Sequence, residues 1–278
     1  MKNQVAQILT EALPYIKKYI GKIVVIKYGG NAMLSQELKE SIVSDIVLLN
    51  MIGVKVVLVH GGGPDINTLL DKIGKKSTFI DGLRYTDDED IEYIQMVLCG
   101  KTNKELVSLI GKAGASAVGL SGLDANITRA TKMEKYGNVG DITNVDPTLI
   151  NDLLDKHYIP VISSIASSKE GSLNVNADLF AAKLSIVLQA DHFMLLTDVK
   201  GVMRDKADDT TLIKEIQVSR VPSLVQEGII SGGMIPKVDC CTLAVRNGVK
   251  QTTIQDGTTK HSILLELLSD EGSGTLFY

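Results

Sequence analysis

Six short apolar runs, each closed by turn residues, alternate in this chain with stretches of helical period, and that alternation constrains the fold most tightly. The runs fall at 23–28, 55–60, 117–120, 159–163, 192–197 and 251–255. Their pattern predicts an α/β protein with a mainly parallel central sheet and helices packed on both faces. Leu38, Ile42, Ile46 and Leu49 mark one helix face, and Ile66, Leu69, Leu70 and Ile73 mark a second that stops at Gly74. Phe180, Leu184, Val187 and Leu188 mark a third. Thr86 and Glu89 have the spacing of a capping box, so the acidic run 87–90 reads as a dipole-compensating first turn rather than a metal site. Residues 3–20 carry Val5, Ile8, Leu9, Ala12, Leu13, Ile16, Tyr19 and Ile20 at helical spacing around Pro14. Proline removes an N–H and crowds the preceding turn, so a bent helix or two short ones is expected. That stripe covers either its own domain or a neighbouring subunit.

At 278 residues the chain accommodates one large domain or two lobes. We divide it into a terminal segment 1–20, an N-terminal lobe 21–165 and a C-terminal lobe 166–278. A net charge of -4 without clustered Lys and Arg argues against a nucleic-acid partner, because phosphate backbones are gripped by basic patches. No apolar run approaches the ~18 residues that span a bilayer, and the first residues lack the features of a signal peptide. A cytoplasmic protein with no membrane partner is expected. Cys99, Cys240 and Cys241 form neither an even framework nor a C-x-x-C pair, and read as small buried apolar residues. His60, His157, His192 and His261 stand far apart, so no protein-ligated metal is expected.

Two strand-to-helix turns are rich in glycine: Lys27-Tyr28-Gly29-Gly30-Asn31-Ala32 and His60-Gly61-Gly62-Gly63-Pro64. Such glycines make tight turns, or let backbone N–H groups approach an oxyanion at a helix mouth; neither loop alone decides. Pro64 suits the first helical turn. Ile66 breaks the G-x-G-x-x-G fingerprint, and Gly100-Lys101-Thr102 lacks the glycine that a P-loop needs at Gln95. Downstream stand Leu173-Asn174-Val175-Asn176-Ala177-Asp178, Leu195-Leu196-Thr197-Asp198 and Gly232-Gly233-Met234-Ile235-Pro236-Lys237. Taken singly, Lys27 is a strand end, Asp178 a helix cap and Lys237 a surface charge, whereas Asp198 at a strand end suggests a metal–nucleotide or another charge nearby.

Taken in order, K-Y-G-G-N-A-M, V-H-G-G-G-P, D-G-L-R-Y-T, L-N-V-N-A-D, L-L-T-D-V-K-G-V and S-G-G-M-I-P-K resemble the motifs of the amino-acid kinase family along essentially the whole chain. The resemblance implies a three-layer αβα sandwich, an N-terminal lobe for an acylated amino acid and a C-terminal lobe for ATP with Mg2+ carried by the nucleotide. It implies phosphorylation of the γ-carboxylate of N-acetyl-L-glutamate, the second step of arginine biosynthesis. Lys27 and Lys237 match the family's phosphate-binding lysines, and Asp178 the acid that holds both. Gly29, Gly30, Gly62 and Gly63 match the phosphate-binding glycines, Gly62, Gly63, Arg84 and Asn174 the substrate contacts, and Asp198 and Lys237 the nucleotide side. Residues 5–20 resemble the kinked helix that interlaces dimers into a hexamer in arginine-inhibited members. Tyr15, His261, Glu271 and Gly274 resemble their site for L-arginine. Two other readings share these motifs in part: a related kinase, such as a carrier-dependent aminoadipate kinase, and a non-catalytic amino-acid sensor.

Overall fold

The computed structural model describes residues 2–270 and 272–278, with side chains for all of these except 2–6, 9 and 31. Helix α1 (Lys2–Tyr19) is followed by β1 (Ile23–Tyr28), α2 (Gln36–Met51), β2 (Lys55–His60) and α3 (Gly63–Lys72). A hairpin of β3 (Phe79–Ile80) and β4 (Leu83–Arg84) leads to α4 (Asp88–Gln95), a π-helical segment (Met96–Thr102) and α5 (Asn103–Lys112). Then come β5 (Ala117–Ser121), β6 (Thr128–Lys132), β7 (Gly140–Val145) and α6 (Thr148–Asp155). These are followed by β8 (Ile159–Ser163), β9 (Ile165–Ser168), β10 (Gly171–Asn174) and α7 (Ala177–Val187). The last part contains β11 (His192–Thr197), β12 (Glu215–Ile216), α8 (Val221–Gln226), α9 (Met234–Arg246), β13 (Gln251–Asp256), α10 (Ser262–Leu268) and β14 (Gly274–Phe277).

Eight strands form one sheet in the order β12-β14-β13-β11-β1-β2-β8-β5. It is parallel from β13 to β5, while β14 runs against β13 and carries β12 with it. Side chains alternate across a strand, and the apolar runs supply both faces. Val25 joins Val57, Val59, Phe193 and Leu195 in a core closed by α6, α7 and α9. Val24 and Ile26 join Leu58, Val161, Met194 and Leu196 in the opposite core, closed by α2, α5 and α10. The result is the expected three-layer arrangement. Each fully buried side chain such as Ile26 or Leu58 contributes about 1.5–3 kcal/mol of transfer free energy.

All six apolar runs are strands, to within a residue at their ends. A second, four-stranded sheet in the order β10-β9-β6-β7 accompanies them. The segment around Pro14 is one continuous helix rather than two short ones. The capping expectation moves by one residue. Asp87 is the N-cap of α4, accepting from the N–H groups of Glu89 and Asp90, because the Thr86 hydroxyl donates instead to the carbonyl of Arg84. Gly74 ends α3 in the left-handed conformation, φ +77°. No helix among the described residues is long and apolar enough to cross a membrane.

Candidate active site

Lys27 lies one residue from the carboxyl end of β1 and is 8% exposed. A buried ammonium needs a counter-charge, and Lys27 Nζ finds it 2.8 Å away at Asp178 Oδ1. The other oxygen, Asp178 Oδ2, lies 2.9 Å from Lys237 Nζ in the first turn of α9. Asp178 is available because Asn176, two residues earlier, caps α7 through the N–H groups of Asp178 and Leu179. Burial pushes the Asp178 carboxyl pKa up, but the two ammonium groups overcome it and bring it down to about 2. One carboxylate thus ties together three segments far apart in sequence. A Cβ at Gly29 would come within 2.6 Å of Lys27 Nζ, so that glycine leaves the ammonium its room. At Gly30, φ is +73° and a Cβ would meet Asp198 Oδ1 at 2.5 Å, so the loops after β1 and β11 approach closely there.

A cavity of about 180 Å³ opens beside Ala177, next in sequence to Asp178, and is lined by Gly61, Gly62, Gly63, Arg84, Asn174 and Asn176, with Leu83, Leu98 and Val175 as apolar wall. Gly62 and Gly63 sit at the mouth of α3, where the first N–H groups have no intrahelical partner. Arg84, at the end of β4, donates to neutral oxygens: the Ser77 hydroxyl, Asn67 Oδ1 at 2.8 Å and the Gly63 carbonyl at 3.5 Å. Its guanidinium also lies 4.8 Å from the centre of the Phe79 ring. Burial lowers its pKa from the usual guanidinium value, so a bound carboxylate would relieve the cost of desolvating this cation. Asn174 Nδ2 donates to the Thr86 hydroxyl, 3.2 Å away.

On the Lys237 side, a second cavity of about 410 Å³ is lined by Thr197, Asp198, Gly201, Met203, Ile229 and Met234, with Lys237 itself. Lys206 and Ser231 also line it, joined by a 2.8 Å hydrogen bond. The sequence offered no sign of Lys206, Asn67 or Ser77, since none stands in a pattern of its own, whereas Ser231 opens the S-G-G-M-I-P-K motif. Among the described residues, no three His, Cys, Asp or Glu side chains converge as a metal cluster.

The terminal residues divide. Tyr15 and Gly274 line a third cavity, of about 280 Å³, together with Lys18, Tyr19, Glu266 and Asp270. His261 is not in its lining. At φ +56° its side chain turns towards α2, where Nδ1 lies 2.6 Å from Asp45 Oδ1. Glu271 lies outside the described residues.

The geometry therefore places a buried Lys–Asp–Lys bridge near two cavities, one with orphan backbone donors and a guanidinium that opens beside Ala177, the other lined by Lys237 itself. Residues 22–256 match the model of the amino acid kinase family. The acetylglutamate kinase of Clostridium beijerinckii is 51% identical over 278 residues, covering 98% of each chain. That of Heliobacterium modesticaldum is 49% identical, over 98% of this chain and 97% of its own. Among solved structures, an N-acetylglutamate synthase from Neisseria gonorrhoeae, complexed with coenzyme A and N-acetyl-glutamate, superposes with a TM-score of 0.85 at 24% identity. The superposition covers 98% of this chain but 63% of the synthase, and speaks for the fold. Such a match, spanning strands β1 to β13 and all three segments of the ionic bridge, makes the chain a member of the amino acid kinase family.

Proposed function

We infer that the protein transfers the γ-phosphoryl group of ATP to the γ-carboxylate of N-acetyl-L-glutamate, giving N-acetyl-L-glutamyl 5-phosphate and ADP. This is the second step of arginine biosynthesis, and its setting is the cytoplasm. The observation that carries the reading is the Lys27–Asp178–Lys237 bridge near two cavities, in a chain half identical to acetylglutamate kinases.

Acceptor and donor are both anions, so bringing them together requires positive charge, and phosphoryl transfer needs positioning and electrostatic stabilisation more than covalent help. We assign that charge to Lys27 and Lys237, with Asp178 holding both ammonium groups. A lysine ~4 Å from the transferring group contributes on the order of 4 kcal/mol at an effective dielectric near 20. The N–H groups of Gly29, Gly30, Gly62 and Gly63 are the donors to the phosphoryl oxygens. Arg84 pairs the α-carboxylate in a bidentate manner, and Asn174 adds a polar contact to the same amino acid. The nucleophilic carboxylate is already ionised at neutral pH, so no general base is required.

The second cavity takes the nucleotide. A magnesium ion carried by the phosphates would enter with the nucleotide, and Asp198, which lines this cavity, is the carboxylate assigned to that side. That ion supplies neutralisation of the phosphate charge when bound. In this scheme residues 21–165 chiefly form the amino-acid lobe and 166–278 the nucleotide lobe.

We extend the proposal to regulation. The cavity between α1 and the C-terminal segment presents Glu266 and Asp270 beside two tyrosines, a lining suited to a guanidinium, and L-arginine is its proposed ligand and inhibitor. Helix α1 exposes Ile8 and Leu13, an apolar stripe suited to interlacing with a neighbouring copy in a hexamer of three dimers. A coupled ADP-release assay tests the whole: turnover is expected with N-acetylglutamate and not with glutamate, aspartate, carbamate or UMP. Turnover with another acceptor, or none, defeats the reading.

A further inference from the structure

His60 closes β2, and its side chain is fully buried directly before the glycine loop. Its two ring nitrogens have different partners. Nδ1 lies 2.8 Å from the carbonyl oxygen of Gly61, which can only accept, so the proton sits on Nδ1. Nε2 lies 3.0 Å from Asn103 Nδ2. The orientation of the Asn103 amide is fixed by its other neighbours: the two hydrogens of Nδ2 are shared among Nε2 and the carbonyls of Val161 at 2.9 Å and Leu120 at 3.2 Å, and Oδ1 accepts from Lys104 Nζ at 3.0 Å. Nε2 is therefore an acceptor, and the ring is held in one neutral tautomer. Burial takes its pKa down to about 4, so it stays neutral at working pH.

The consequence lies one peptide further on. No peptide bond among the described residues is cis, and in a planar trans peptide the carbonyl and the N–H point in opposite directions. With the Gly61 carbonyl turned to the His60 ring, the N–H of Gly62 must point away from it. The preceding peptide is pinned too, because the Gly61 N–H donates to the Tyr28 carbonyl at 3.0 Å. Asn103 follows directly on the π-helical segment, whose wider turn brings successive side chains to bear on the same loop. Thr102 donates to Asp65 Oδ2 at 2.8 Å, and Leu98 sits where a Cβ on Gly62 would come within 2.5 Å of it.

We propose that His60 and Asn103 are positioning residues, which together aim the Gly62 N–H at the phosphoryl group. The proposal rests on the functional reading above and deepens it. Neither side chain touches a substrate; both act through the Gly61–Gly62 peptide. The two amides that mimic a histidine separate the two ring contacts. His60→Asn keeps a donor near the Nδ1 position, whereas His60→Gln keeps a polar group near Nε2 and loses the donor to Gly61.

The experiment measures kcat, both KM values and the melting temperature for the parent and these variants. Selective 15N-histidine NMR reads the tautomer of the parent, the His60 signals being those missing in His60→Asn. The expected result is a kcat about 10- to 100-fold lower in His60→Gln, with KM within about threefold, while His60→Asn stays within about fivefold of the parent. Melting temperatures of the two should fall alike. Equal kcat values in the two variants would show a purely structural role and overturn the proposal, as would a parent spectrum with the His60 proton on Nε2. Should His60→Gln fail to fold, Asn103→Ala serves: a kcat about tenfold lower with KM within about threefold supports the idea, and an unchanged kcat refutes it. A parent without acetylglutamate turnover would defeat the functional reading instead, leaving the tautomer to be judged by NMR.

Discussion

Replacing Asp178 by asparagine removes one charge from the site and almost no volume. At 2.8 and 2.9 Å, each of its ion pairs is worth about 6 kcal/mol of attraction at an effective dielectric near 20. The net gain on folding is far smaller, because burial opposes it. A fall in pKa from 3.8 to about 2 corresponds to roughly 2.5 kcal/mol. Since the folded-state pKa is depressed, that stability is complete above about pH 4 and is lost as the pH falls through about 2. At pH 7 the variant loses all of it. It also leaves two ammonium groups facing each other without a counter-charge, which brings the expected loss to about 3–5 kcal/mol. Urea unfolding followed by circular dichroism at pH 7 measures this term. ADP release with saturating substrates measures the other: an amide cannot hold both lysines, and kcat should fall about 10²- to 10³-fold. An unfolding free energy within about 0.5 kcal/mol of the parent, or a kcat within threefold of it, would refute the view that this carboxylate organises the site.

Lys27→Ala should lower kcat by roughly 10²- to 10⁴-fold, and a variant within about threefold of the parent removes Lys27 from the chemical step. Arg84→Ala should mainly raise KM for acetylglutamate with a much smaller change in kcat; an unchanged KM means that another group binds the α-carboxylate. Acid should destabilise the fold well before carboxylates protonate. Burial depresses the pKa of His60 to about 4 and of His192 to about 3, so between these values and 6.5 the unfolded chain binds protons that the folded one refuses. Moving from pH 7 to pH 5 should therefore cost up to about 4 kcal/mol in urea titrations, and a pH-independent midpoint over that range would contradict the buried neutral rings. Millimolar L-arginine should lower activity, and an enzyme indifferent to it has no regulatory ligand in the cavity beside α1.

The central sheet was legible because its strands are buried on both faces, which leaves continuous runs such as Val24 to Ile26 and Val56 to Val59. The second sheet has one wet face. In β6 the buried Thr128 and Ala130 alternate with the exposed Arg129 and Thr131, and five such residues resemble a loop. β12 and β3 have two residues each, too few for any period. The ionic bridge has no local signature either. Lys27, Asp178 and Lys237 read singly as a strand end, a cap and a surface charge, and acquired a common meaning only through the ordered motifs around them. Even so, the sequence did not reveal that Asn176 takes over capping and releases Asp178. The contacts of His60 with Asn103, and of Arg84 with Asn67 and Ser77, escaped notice for the same reason: a hydrogen bond to a neutral side chain outside the local pattern leaves no trace in spacing.

The topology explains why these scattered groups meet where they do. The sheet order changes direction at the β11–β1 pair: from β1 the chain crosses outward to β2 over one face by way of α2, and from β11 it crosses the opposite way to β13 over the other face by way of α9. With right-handed crossovers on opposite faces, the loops leaving the carboxyl ends of β1 and β11 diverge and open a crevice between them. Gly29 and Gly30 leave β1 at this point and Asp198 leaves β11, close enough that a side chain on Gly30 would strike the aspartate. Lys27 lies just below on β1, and the first turns of α7 and α9 deliver Asp178 and Lys237 from the layer beneath. A parallel sheet without this reversal would carry successive loops over the same face in sequence. The reversal instead lets the β2 turn line one cavity and the β11 turn the other, while the carboxylate of Asp178 holds Lys27 close to where the β1 and β11 loops diverge.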